Sequence, residues 1–206
     1  MGELLTYKAR AIQAKGADNT VLPDETRLKQ QFFQDDYENL SLLKNIPPFT
    51  LTTATLLYPG CGADIVFPLQ YIERLFPALE QAECIFVDQC EIQDTIKTVL
   101  DDIGIPFSEY QDTIKFYWNG KDVRITFLVG DIFELITTLP AVDIYFERSF
   151  RIMRERHPEY EQKIVEKLNW GGILISDSGF QNTILRKITV PKELSAYGEM
   201  MMGVKE

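Results

Sequence analysis

A single histidine, His157, and three cysteines leave this 206-residue chain too poor in soft ligands for a zinc site built on imidazole and thiolate. Cys61, Cys84 and Cys90 form no paired framework, and the N-terminal MGELLTYKAR has no apolar signal core. Both features predict a reducing, cytoplasmic setting. No apolar run approaches the roughly 20 residues needed to span a bilayer, so no membrane partner is expected. Positive charge is also scarce: 21 Lys and Arg stand against 31 Asp and Glu, a net charge of −10. A surface of that sign repels polyphosphate and argues against nucleic acid as a substrate. Internal repeats and low-complexity segments are missing too. What remains is a chain 45% hydrophobic, enough for one domain with a substantial core.

Up to about residue 50 the pattern is polar and helical. ELLTYKARAIQAK and DETRLKQQFFQDDYENLSLLKNI, separated by a Gly/Asp/Asn/Pro break, predict an N-terminal helical cap over residues 1–50. From Thr55 short apolar runs alternate with amphipathic segments. TLLY, ECIFV, VRITFLV, VDIYF and GGILIS read as strands buried on both faces of a parallel sheet. PLQYIERLF, EIQDTIKTVLDDIG, DIFELITTL and PEYEQKIVEKL have the i, i+3, i+4 spacing of surface helices. The βαβαβαβαβ order predicts an open α/β sheet over residues 51–206. Asn119-Gly120 marks a two-residue hairpin and an extra antiparallel strand before the third core strand. ILRKITVP and GEMMMGVKE predict a terminal antiparallel pair.

In such a sheet the ligand lies beyond the carboxyl ends of the strands, so the residues after each strand matter most. After the first come Pro59, Gly60, Cys61, Gly62, Ala63 and Asp64, where missing Cβ atoms let a ligand approach the backbone. Asp88 ends the second, a carboxylate suited to the two hydroxyls of a ribose. Gly130-Asp131 follows the third, FERSFR the fourth and SDSGF the fifth. Each has a plainer reading: the glycines as a turn, Asp88 and Asp131 as helix N-caps, Cys61 and Cys84 as packing residues.

Taken in order, these strand ends resemble the Rossmann-like, class I S-adenosylmethionine-dependent methyltransferases over roughly residues 50–206. The resemblance implies a mostly parallel sheet with helices on both faces, and S-adenosyl-L-methionine as cofactor. It implies that Gly60, Cys61 and Gly62 line the methionine half, that Asp88, with Gln89 beside it, holds the ribose, and that Asp131 and Ile132 contact adenine. The chain departs from the pattern at Tyr58, where an acid is usual, and at Ala63-Asp64, which replace the third glycine. Tyr58 and Asp64 therefore join the cofactor-binding set, Asp64 as a substitute for the missing acid.

FERSFRIMRERHPEY concentrates Arg148, Arg151, Arg154 and Arg156 in an acidic chain. Residues 148, 151 and 154 share a face if the stretch is helical. The alternatives are a solvated turn paired with Glu147 and Glu155, or a grip on a carboxylate or phosphate of a small or medium-sized acceptor, with Arg148 or Arg151 as the fork. Glu147 is the first candidate base and His157 the second. Phe32, Phe33 and Tyr37 are candidates for a lid. A catalytically silent binding protein of the same fold and, ranked lower, a nicotinamide-dependent reductase complete the functional readings.

Overall fold

The computed structural model describes residues 8–181, 184–195 and 198–206, apart from the side chain of Gln34. Its centre is one nine-stranded sheet. The strands are β1 Thr53–Pro59, β2 Gln81–Asp88, β3 Phe107–Tyr110, β4 Thr113–Trp118, β5 Lys121–Val129, β6 Val142–Glu147, β7 Leu168–Ser176, β8 Arg186–Ile188 and β9 Met201–Val204. They lie in the order β3-β4-β5-β2-β1-β6-β7-β9-β8. The five central strands β5, β2, β1, β6 and β7 are parallel. β9 runs antiparallel to both β7 and β8, and β4 is antiparallel to β3 and β5. The expected α/β architecture, the extra strand and the terminal antiparallel pair are all present.

Alternation along β1 sends Leu56 and Tyr58 to one face and Leu57 to the other. The first face is covered by helices α1 Glu25–Lys29, α2 Gln34–Asn39, α3 Val66–Leu75 and α4 Gln93–Asp102. Leu69, Ile72 and Leu75 of α3 and Ile96, Val99 and Leu100 of α4 form its core with Cys84, Phe86 and Ile125. The second face is covered by the shorter α5 Ile132–Leu135 and α7 Tyr160–Lys167, with α6 Arg151–Arg154 between them in sequence. Ile132, Ile136, Tyr160 and Ile164 pack there on Leu57, Val87, Tyr145 and Leu174.

That second cover stops short, and one expectation changes with it. β5 does not bury both faces: Lys121, Val123, Ile125 and Phe127 point inward while Asp122, Arg124 and Thr126 are half-exposed. Lys115–Asp122 at 2.8 Å and Arg124–Glu83 at 3.1 Å lie along this polar flank. An antiparallel neighbour lets a strand face water on one side, and the Arg and Thr within VRITFLV follow that alternation.

The N-terminal helices are also shorter than expected. Residues 8–18, within the first predicted helix and the break after it, are not helical. They run beside β3, where the amides of Lys15 and Gly16 donate to Phe107 O at 3.1 and 3.0 Å and Ala17 N–H donates to Ser108 Oγ at 2.9 Å. Arg10 N–H donates to Thr98 Oγ1 at 2.9 Å. Edge hydrogen bonds outweigh helix propensity here, and the segment covers a sheet edge that would otherwise be open. The second predicted helix divides into α1, capped by Asp24, α2 and a 3₁₀ turn Leu40–Asn45. Its Leu28, Phe32, Leu40 and Leu43 join the core of the first face.

Candidate functional site

The turn after β1 is shaped by two left-handed glycines, Gly60 with φ +58° and Gly62 with φ +51°. Gly60 N–H donates to Val87 O at 2.8 Å, which ties the turn to β2. Asp88 then holds three turns at once. Its Oδ2 accepts from Gly62 N at 2.9 Å, its Oδ1 from Cys90 N at 3.0 Å and its backbone carbonyl from Gly130 N at 2.9 Å. The carboxyl ends of β1, β2 and β5 are thus fastened to one residue. Helix α4 begins at Gln93 with Ile92 before it, so Asp88 is not its N-cap. Asp131 does cap a helix: its Oδ1 accepts from Phe133 N at 2.9 Å at the start of α5, and Ile132 beside it is buried. Gln89 is exposed next to Asp88.

Tyr58 is buried, and its hydroxyl donates to Asp64 Oδ2 at 2.8 Å. Asp64 Oδ1 accepts from Phe67 N at 3.1 Å. Burial pushes the Tyr58 phenol well above its usual range. Burial also raises the Asp64 carboxyl, an effect opposed by the Arg148 guanidinium and the Tyr58 hydrogen bond. Cys61 is buried, its thiol is pushed far up by desolvation, and its Sγ faces Val87 O at 3.8 Å. That environment makes it a packing residue and a poor nucleophile. Cys84 is likewise in the core.

Arg148 lies 3.6 Å from Asp64 and 3.6 Å from Asp36 of α2, with its guanidinium carbon 3.2 Å from the centre of the Phe67 ring. It therefore bridges the N-terminal helices and the glycine turn. Between those elements is a cavity of about 460 Å³, lined by Phe32, Phe33, Asp36, Tyr58, Gly60, Cys61, Ala63, Asp64 and Arg148 among others. Phe32 and Phe33 form part of its wall. Tyr37 packs behind them, its ring centre 5.4 Å from that of Phe32.

The arginine cluster does not share one face. Ser149 has φ +53°, and its N–H donates to Asp177 Oδ2 at 2.9 Å, which separates Arg148 from the single turn α6. Arg151 pairs with Glu155 and Glu199. Arg154 is buried against Glu147 and Glu161. Glu147 is fully buried: Tyr145 Oη and Ser176 Oγ each donate to it at 2.6 Å, and Arg154 stands 3.2 Å away. β6 directs this side chain into the second core, so it does not reach the 460 Å³ cavity. Burial drives its carboxyl up to about 7, with Arg154 pulling the other way. His157 stacks on Phe133 with ring centres 3.7 Å apart.

Three contacts carry no signal in the sequence. Phe150 lies on Gly60 so closely that a Cβ there would be 2.7 Å from its ring. Phe67, the platform for Arg148, is indistinguishable by pattern from the apolar residues of α3 around it. Asp36 is one of several acids on α2 and is selected only by the fold.

No family model matches this sequence, and no curated protein matches it. Solved structures similar to the chain include precorrin 8w decarboxylase of Methanobacterium thermoautotrophicum, at 19% identity and TM-score 0.40 over 70% of this chain and 61% of that one. TrmN of Thermus thermophilus is similar at 15% identity and TM-score 0.43, over 83% and 48%. An S-adenosyl-L-methionine methyl transferase of Silicibacter pomeroyi is similar at 10% identity and TM-score 0.45, over 86% and 92%. The chain spans only 61% and 48% of the first two. The chain's own strand order defines an open, mostly parallel Rossmann-like sheet, with β9 inserted antiparallel between β7 and β8.

Proposed function

We propose that this protein binds S-adenosylmethionine across the carboxyl ends of β1, β2 and β5 and transfers its methyl group to a small acceptor bearing a carboxylate or phosphate. The observation that carries the reading is Asp88, which gathers the three turns where such a cofactor would lie. The residues fit the group. Nothing lies within 4 Å of the Cβ position at Gly62, so a ligand can approach that backbone. Asp64 presents a half-buried carboxylate for an ammonium group, oriented by Tyr58. Asp88 spends one hydrogen bond per carboxylate oxygen on the turns and keeps lone pairs for vicinal hydroxyls. Asp131 and Ile132 border the adenine end.

When bound, the cofactor supplies a methyl group already activated on a sulfonium. The protein's task is alignment. The cavity between the glycine turn and the N-terminal helices holds the acceptor, and Phe32 and Phe33 exclude water from it. Arg148 is the anion grip: its two carboxylate pairs are long, at 3.6 Å, and one exchanges for the acceptor's own anion. Glu147 serves the core rather than proton transfer.

Calorimetry with S-adenosylmethionine tests the cofactor assignment. Saturable binding by the native protein, weakened about tenfold or more in Asp88→Ala by loss of charge-assisted hydrogen bonds, is expected; no binding by the native protein overturns it. Arg148→Ala is expected to lower turnover of carboxylate or phosphate acceptors while sparing cofactor binding.

One observation favours a second reading, a binding protein without turnover: Glu147, the first candidate base, is buried in the second core and does not line the cavity. Conversion of S-adenosylmethionine to S-adenosylhomocysteine with any acceptor excludes it.

A further inference from the structure

A second, smaller cavity of about 140 Å³ opens at the carboxyl ends of β6 and β7, lined by Arg151, Arg154, His157, Glu161, Ser178 and Gly179 among others. Arg154 is its buried wall, with a side chain only 4% exposed. One terminal nitrogen bonds Glu161. The other donates to Gly179 O and stands 3.2 Å from Glu147, and the guanidinium carbon is 4.2 Å from the centre of the Phe180 ring. Its Nε has no partner.

Among the described residues three buried side-chain polar atoms lack a hydrogen bond, and two of them, Arg154 Nε and Ser178 Oγ, belong to residues of this one wall. A buried donor left unpaired is costly, so two in one cavity call for a common partner. The carboxylates of the wall are already engaged: Glu155 with Arg151, and Glu161 with Arg154 and with Gln181 N at 3.0 Å. The spare capacity is therefore that of donors. The volume corresponds to about four or five water-sized groups, the size of one carboxylate or phosphate. We propose that this cavity binds a compact oxoanion, held by Arg154 Nε and Ser178 Oγ, at a site separate from the cofactor and acceptor positions.

Titration with inorganic phosphate and with acetate at constant ionic strength, followed through the amide resonances of Ser178 and Gly179 and with no cofactor present, tests the site. Saturable shifts with either anion support it. Phosphate alone assigns the site to the free inorganic ion, acetate alone to a carboxylate terminus. Ser178→Ala, whose missing hydroxyl bonds nothing in the fold, is expected to bind about tenfold more weakly, and Arg154→Lys, where it folds, to lose the shifts. Absence of shifts with both anions, or equal affinity in Ser178→Ala, overturns the proposal. Because the titration contains no S-adenosylmethionine, its failure leaves the methyltransferase reading untouched, and the reverse also holds.

Discussion

Glu147 shows how a residue well placed by sequence can be assigned to the core by its strand. In β6 its side chain enters the space between Tyr145, Ser176 and Arg154 and loses its water. Burial raises the folded-state pKa from 4.5 to about 7, so between those values the folded protein holds a proton that the unfolded chain has released. The group's contribution to stability is complete below pH 4.5 and is lost as pH rises through 7, a change of about 3 kcal/mol. Chemical denaturation at pH 5 and pH 8 is expected to show this loss in the native protein and not in Glu147→Gln. Equal pH slopes in the two proteins would contradict it. Gly60 presents a separate test: its φ is +58° and its Cβ position is filled by the Phe150 ring. Gly60→Ala is expected to cost about 1–3 kcal/mol in a urea melt, part of which Phe150→Leu restores.

At the scale of elements, legibility followed local chemistry. Asn119-Gly120 was readable because only left-handed backbone closes a two-residue hairpin, and the structure gives φ +48° and +83° there. Gly120→Ala should lower the unfolding free energy by about 1 kcal/mol at an unchanged urea m-value. β3 was not readable: FSEY is four residues long and half polar, and it becomes a strand through β4 on one side and residues 15–17 on the other. The helical reading of residues 3–15 failed in its described part because hydrogen bonds to Phe107 O and Thr98 Oγ1 are contacts distant in sequence. The arginine cluster misled for a related reason. A single positive-φ residue, Ser149, sends Arg148 toward the glycine turn while Arg154 enters the core.

Over the whole molecule, strand order decided how much of the candidate site could be proposed in advance. Once five parallel strands were recognised, their carboxyl ends named Gly60, Gly62, Asp88 and Asp131 without any contact being known. The structure adds how they cohere: Asp88 fastens the turns after β1, β2 and β5, and Arg148 joins the N-terminal helices to the same edge. Phe67, Phe150 and Asp36 stayed hidden because their roles arise only when α2, α3 and the β6–α6 turn converge. The central claim is that this edge is a nucleoside-cofactor cradle, and a crystal structure with S-adenosylhomocysteine tests it most directly. The account predicts the ribose hydroxyls on Asp88, the amino-acid end over the open backbone at Gly62, and the adenine beside Asp131 and Ile132. Ligand density elsewhere on the protein, or none at saturating ligand with the Asp88 turns unchanged, would contradict it.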